Sequence, residues 1–179
     1  EDRGLLEFDP DKYTIHNIDI GFQGTPVFGL FRDKADNIWI ATGLHGLFFY
    51  NRNSRTIRRM DFFPGTSRRL SSTNVSRVLE DSRNRLWIGY LSHGVDLFDK
   101  RTNTVTHFTC NDTINNALSH DDIFKIFEDR QGNVWIGTQK GLNLYDSITN
   151  SIRKIPLPDE KGEDNYGSPV YDIFQDSFD

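Results

Sequence analysis

The stretch DRQGNVWIGTQKGLNLYD, residues Asp129 to Asp146, decides the fold. It has the make-up of a site: an acid, a glycine turn, a tryptophan, a Gly-Thr and a Gly-Leu. Yet it is present three times. DKADNIWIATGLHGLFFYN runs from Asp33 to Asn51, and DSRNRLWIGYLSHGVDLFD from Asp81 to Asp99. Trp39, Trp87 and Trp135 stand 48 residues apart each time. Self-similarity at such a period is the signature of a stacked repeat architecture.

The likeness extends both ways. VFGLF (27–31), VSRVL (75–79) and IFKIF (123–127) lie upstream, and TIRRM (56–60), TVTHF (104–108) and SIRKI (151–155) downstream. GLLEFD (4–9) and YTIHNI (13–18) match the second half of a repeat, and VYDIFQD (170–176) its start. Each repeat holds four strand signals, a to d, which in the first copy are 27–33, 37–42, 46–51 and 56–62. Strand a is a mostly apolar run of aromatic and β-branched residues, as a strand covered on both faces requires. The a–b turns begin at Asp33, Asp81 and Asp129 and reach Asp36, Asn84 and Gly132, residue types that tolerate the left-handed bulge position of such a hairpin. The leading Asp can accept hydrogen bonds from the turn amides. Gly46, Gly94 and Gly141, just before or at the start of strand c, suit a positive φ or a close backbone approach.

Four strands and one Trp per repeat of ~45 residues predict a β-propeller blade. One blade cannot bury its own faces, so blades must stack. The expected fold is therefore all-β: a partial β-propeller over residues 1–179, with the second half of a blade at 1–19, blades at 25–62, 73–108 and 121–156, and the start of another at 168–179. Trp39, Trp87 and Trp135 are expected between blades.

Composition narrows the function classes. A net charge of -5 and a pI of about 5.5 argue against nucleic acid or an anionic membrane as partner. No stretch approaches the ~18 apolar residues of a membrane span. The chain lacks an initiator Met, its one Met being Met60, and reads as an excised piece. The single Cys110 excludes an intrachain disulfide and a cysteine-based zinc cluster.

The pattern D-x-x-G/N-x-ϕ-W-I-G-T…G-L-x-x-Y/F-D resembles the two-component-regulator propeller repeat. LWIGYLSHGVDLFD and VWIGTQKGLNLYD are close matches, ALSHDDI (117–123) resembles the usual lead-in to strand a, and Ala41 and Tyr90 depart from the pattern. The resemblance covers nearly the whole chain. It implies a propeller in the periplasmic sensor region of a Bacteroidetes-type hybrid two-component histidine kinase held in the inner membrane. Such sensors detect oligosaccharides and switch on glycan-utilisation genes. It also implies a homodimeric parent.

Catalytic and metal signatures are missing. There is no G-x-S-x-G, H-E-x-x-H, P-loop or dinucleotide fingerprint. His16, His45, His93, His107 and His120 form no metal-ligand spacing. The Asp-box of sialidases has an Asp-to-Gly spacing one residue shorter than Asp129–Gly132. Nothing singles out a pair of acids for glycoside hydrolysis. The expectation is a non-catalytic chain with no cofactor and no metal. The sequons at Asn74 and Asn111 are short enough to arise by chance.

Propeller geometry places the a–b and c–d turns on one face and the b–c loops and d–a connectors on the other. The second face varies, which is where a rigid scaffold carries binding. His45, His93 and Lys140 occupy equivalent places in the b–c loops, with Tyr90 and Gln139 beside them. Each could hydrogen-bond sugar hydroxyls, or be plain exposed loop. The first connector offers Phe62, Phe63, Arg68 and Arg69, with the phenylalanines either presented or packed under their loop; the third offers Tyr166 amid acids. Gly29, Arg77, Lys125 and Asp172 share the third position of strand a and are expected at the central channel, paired with one another. The competing reading is a structural propeller that mediates receptor dimerisation without a ligand site. Either way, an open arc of blades exposes strand edges and is expected to self-associate.

Overall fold

The computed structural model describes residues 5–21, 24–111, 117–158 and 167–177 in full, and the backbone of 164 and 165. Every regular element among them is a strand. A hairpin of β1 (Leu5–Asp9) and β2 (Thr14–Ile18) comes first. Three antiparallel four-stranded sheets follow. The first is β3 (Val27–Arg32), β4 (Ile38–Thr42), β5 (Gly46–Asn51) and β6 (Thr56–Met60). The second is β7 (Val75–Glu80), β8 (Arg85–Tyr90), β9 (Val95–Asp99) and β10 (Thr104–Phe108). The third is β11 (Ile123–Glu128), β12 (Val134–Thr138), β13 (Gly141–Asp146) and β14 (Ser151–Ile155). In each sheet neighbours in sequence are neighbours in space, so every sheet is a meander, and β7 contacts both β3 and β11. These are three blades joined along their first strands, in an arc that does not close.

The repeated acid builds the a–b hairpin from inside. The carboxylate Oδ1 of Asp81 accepts from the amides of Arg83 and Arg85 at 3.0 and 2.9 Å, while Oδ2 accepts from the Trp87 indole Nε1 at 2.8 Å. Asp33 holds Ala35, Asn37 and Trp39 in the same way, and Asp129 holds Gln131, Asn133 and Trp135. The closing residues Asp36, Asn84 and Gly132 have φ of 66°, 64° and 80°. One side chain thus orders the turn and aims the ring that leaves it.

The rings fill the seams between blades. Trp87 is fully buried with Leu97, Phe108, Ile123, Ile136 and Tyr145, and meets Tyr145 edge-on at 4.8 Å. Trp39 lies with Met60, Phe63, Val75, Ile88 and Phe98 in the preceding seam. Trp135 faces the far side of the third blade, where it is only half-buried. Fully burying a large apolar side chain contributes about 1.5–3 kcal/mol, so each seam is a substantial share of the core. Gly89 follows Trp87 by two residues because the next blade comes close: a Cβ there would stand 2.7 Å from Ile123 Cγ2.

Two further features recur. Strand a carries a bulge at its start in every blade, at Phe28, Ser76 and Phe124. The c–d turns close on Arg55, Asn103 and Asn150, with φ of 52°, 58° and 54°; Tyr13, at 52°, closes the β1–β2 hairpin identically. The segment 170–176 forms no ladder, yet it runs beside the third blade as a first strand would. Val170 donates to the Thr138 carbonyl, and Tyr171 stacks on Phe124 at 5.0 Å. Between the third blade and this segment, β15 (Leu157–Pro158) pairs with β16 (Asp164–Asn165). The sequence reads this region as loop; Tyr166 and most of its acid run lie outside the described residues.

Candidate functional site

The b–c loops are tight because their ends are tied. Thr42 Oγ1 donates to the Gly46 carbonyl at 2.7 Å and Thr138 Oγ1 to that of Gly141 at 3.0 Å. Gly46, Gly94 and Gly141 all have positive φ, and at Gly94 a Cβ would fall 2.0 Å from the Phe108 carbonyl oxygen. The residues ahead of these glycines are pushed outward. His93 is exposed, with Nδ1 3.2 Å from the Leu91 carbonyl, and Gln139 and Lys140 are exposed in the third loop. His45 is half-buried, its Nδ1 3.1 Å from Thr25 Oγ1. The structure sets one of these polar groups on each of three successive blades, on the connector face.

Tyr90 is different. Its ring is fully buried and cannot meet a ligand. It closes strand b, its side chain turns into the seam, and its hydroxyl donates to Asp96 Oδ2 at 2.5 Å. Asp96 is itself fully buried and accepts also from the amide and hydroxyl of Ser71 at 3.0 and 2.7 Å, with His107 Nδ1 2.7 Å from Oδ1. Burial pushes the Asp96 carboxyl up, but the hydrogen bonds from His107, Tyr90 and Ser71 together hold it below the ordinary carboxylate range. Burial and the adjacent carboxylate push the Tyr90 phenol far up. The cluster contains Ser, His and Asp but not the geometry of a nucleophile: the Ser71 hydroxyl is given to the carboxylate, and His107 meets both through the same nitrogen. It pins the first connector to strand c of the second blade. Ser119 and Asn143 repeat the latch in the third blade with an amide in place of the acid. Sequence reasoning passed over Asp96, although an acid at an inward position of the run VDLF was its signal.

The first connector splits its aromatics. Phe63 is buried against Phe98, whereas Phe62 is 40% exposed with the Arg69 guanidinium over its ring at 4.8 Å. Arg68 is exposed. The seam between second and third blades is closed on this face by Asp122, whose carboxylate accepts from the amide of Ser92 at 2.6 Å, and by Asp121, which accepts from Cys110. Along the first strands, Lys125 pairs with Asp172 at 2.5 Å, while Arg77 donates to the carbonyls of Phe28 and Ser76.

Residues 21–43, 69–91 and 117–140 match the family model described as two component regulator propeller, each match running from the lead-in through strand b. No curated protein is similar to the chain. Several solved structures are. The extracellular domain of a hybrid two component system of B. thetaiotaomicron shares 18% identity with a TM-score of 0.53, over 99% of this chain and 35% of that one. PorZ, a surface component of the type-IX secretion system of Porphyromonas gingivalis, shares 19% with a TM-score of 0.57, over 89% and 24%. Virginiamycin B lyase of Staphylococcus aureus shares 15% with a TM-score of 0.56, over 79% and 44%. The chain thus spans less than half the length of each, and at these identities the likeness is one of fold, which hosts enzymes and non-enzymes alike.

Proposed function

We propose that this chain, which carries two component regulator propeller repeats, is part of the extracytoplasmic sensor region of a hybrid two component system, and that the sensor binds an oligosaccharide and controls glycan-utilisation genes. The observation that carries the reading is the run of three repeats matching that family, in a fold shared with the extracellular domain of such a system. The parent would then be a periplasm-facing protein of the inner membrane. His45, His93, Gln139 and Lys140 supply donors and acceptors for sugar hydroxyls on the connector face, and Arg68 with the Arg69–Phe62 pair supplies a charged and an aromatic surface beside them.

The role is binding, not turnover. The acids that recur in the motif, Asp33, Asp81 and Asp129, are occupied with turn amides and indoles, and the single buried Asp96 holds the latch. A second reading, an interaction propeller without a ligand of its own, draws on apolar side chains presented on the connector face, where Leu44 and Phe62 are 69% and 40% exposed.

Titration calorimetry of the intact ectodomain against plant, host and microbial oligosaccharides separates the two. One sugar class should bind, and the His93→Ala/Lys140→Ala variant should weaken it at least about tenfold, the loss of roughly 1.4 kcal/mol of hydrogen bonding. Binding untouched by these changes moves the site off the loops. No binding to any sugar favours the interaction propeller.

A further inference from the structure

The internal repeat allows one seam to be compared with the next. On the outer rim, on the face of the a–b and c–d turns, the wedge between two blades is framed by strands c and d of the first and by the c–d hairpin of the second. Between the first and second blades this wedge is filled. Phe49 packs edge-on against Trp39 at 4.8 Å, and the Arg58 guanidinium covers Phe49 at 5.0 Å. Between the second and third blades the paired residues at the same register are the smaller Leu97 and Thr106. A groove of about 450 Å³ opens there.

Its lining is basic on a chain of net charge -5. Arg83 comes from the a–b turn, Arg85 from the start of β8 and Arg101 from the c–d turn, with Asp99 as the one acid. Asp99 is already engaged: it caps its own turn by accepting from the Arg101 and Thr102 amides, and it stands 4.0 Å from the Arg101 guanidinium. Arg85 is 7% exposed. Its Nε is given to Asp81 at 2.6 Å and its Nη1 to the Tyr145 hydroxyl at 3.3 Å, while Nη2 is buried with no hydrogen-bond partner. A buried guanidinium nitrogen without an acceptor is costly, and a small turn of the Arg85 side chain, which lies over the Trp87 and Tyr145 rings at 5.4 and 5.0 Å, would bring it to an anion oxygen in the groove. Thr104, Thr106, Ser147 and Asn150 complete the walls with hydroxyl and amide groups. The matching groove between β1–β2 and the first blade offers no such excess, since Glu7, Asp9 and Asp19 balance Lys12, Arg52 and Arg55 there.

We infer that the groove between the second and third blades binds the carboxylate or sulfate group of an acidic saccharide, with Arg83 and Arg101 at its rim, Arg85 at its floor, and the hydroxyl and amide walls against the sugar. The volume suits a mono- or disaccharide. The site lies on the face opposite to His93 and Lys140, and it rests on the sensor reading only for the choice of a sugar as the anion's carrier.

The test is calorimetry on the intact ectodomain with digalacturonate, a sulfated disaccharide, neutral cellobiose and inorganic sulfate. Both acidic sugars should bind, more weakly as salt rises. Arg83→Gln/Arg101→Gln, at exposed positions, should weaken them by about tenfold, because two charge-assisted hydrogen bonds to the anion disappear. Arg52→Gln/Arg55→Gln in the matching groove should leave them unchanged. Acidic sugars that bind the Arg83/Arg101 variant as tightly as the parent overturn the groove. Neutral oligosaccharides binding while acidic ones do not overturns it too, yet leaves the sensor reading standing; silence from every saccharide overturns both. Sulfate alone binding as tightly as the sulfated disaccharide means an adventitious ion only, and ends the saccharide assignment.

Discussion

Replacing Asp81 with alanine should destabilise the chain far more than the same change at Asp129, although both open the same motif. Asp81 has no exposed surface, and its carboxylate serves two turn amides, the Trp87 indole at 2.8 Å and the Arg85 Nε at 2.6 Å. Its loss strands a fully buried indole N–H, which costs about 1–3 kcal/mol. It also removes the counter-charge of a buried arginine, a change worth about 3–5 kcal/mol. The two effects overlap, because Arg85 can turn toward the rim groove, so about 4–5 kcal/mol is the expected total. Asp129 makes the same turn, but Asn133 is exposed and Trp135 half-buried, so water replaces most of what is lost. About 1–2 kcal/mol is expected there. Urea unfolding followed by tryptophan fluorescence reads both. Equal losses at the two sites, or a larger one at Asp129, would refute the reasoning that seam burial sets the weight of the motif.

Three further outcomes follow from the geometry. Asp96 is held below the ordinary carboxylate range when folded, so it adds stability above its unfolded pKa that is lost as pH falls through the folded value. Asp96→Asn should therefore lower stability at neutral pH and flatten its fall in acid, which denaturation midpoints from pH 7 downward would reveal. Gly94→Ala, with φ of 67° and a Cβ 2.0 Å from a backbone oxygen, should lose several times more stability than Gly132→Ala, with φ of 80° but nothing nearer than 3.7 Å; thermal melts of the two compare them. The exposed apolar face of β1–β2 should drive the isolated chain to self-associate, so light scattering should give a mass that rises with concentration, and Phe8→Ser/Ile15→Ser should lower it.

Much of the fold was legible because the signals were local and repeated. The four-strand period, the Asp-led turns and the glycines before strand c depend on residues within one hairpin, and three copies made each readable against the others. What was not legible lies where blades meet. Tyr90 looked like a loop residue, but its hydroxyl is drawn inward by Asp96, a partner six residues on that matters only because Ser71 and His107 also converge on it. The groove at Arg83, Arg85 and Arg101 has no sequence pattern, because it exists only where Leu97 and Thr106 leave open what Phe49 and Arg58 fill one blade earlier. The paired charges of Lys125 and Asp172 lie between these extremes: their equivalent places in the repeat were visible, and their contact needed the arc.

We propose that the Asp–Trp motif holds the blades while the connector-face loops bind the sensor's sugar, so that loss of the motif acid and loss of the loop side chains have separable effects. The most direct measurement takes two variants of the intact ectodomain, Asp129→Ala and His93→Ala/Lys140→Ala, and determines both the unfolding midpoint and the Kd for the sugar that the parent binds. The account predicts a crossing: the first variant loses stability and keeps its Kd, while the second keeps stability and loses affinity. A first variant that keeps its midpoint but no longer binds would make the motif the site after all, and contradict the account.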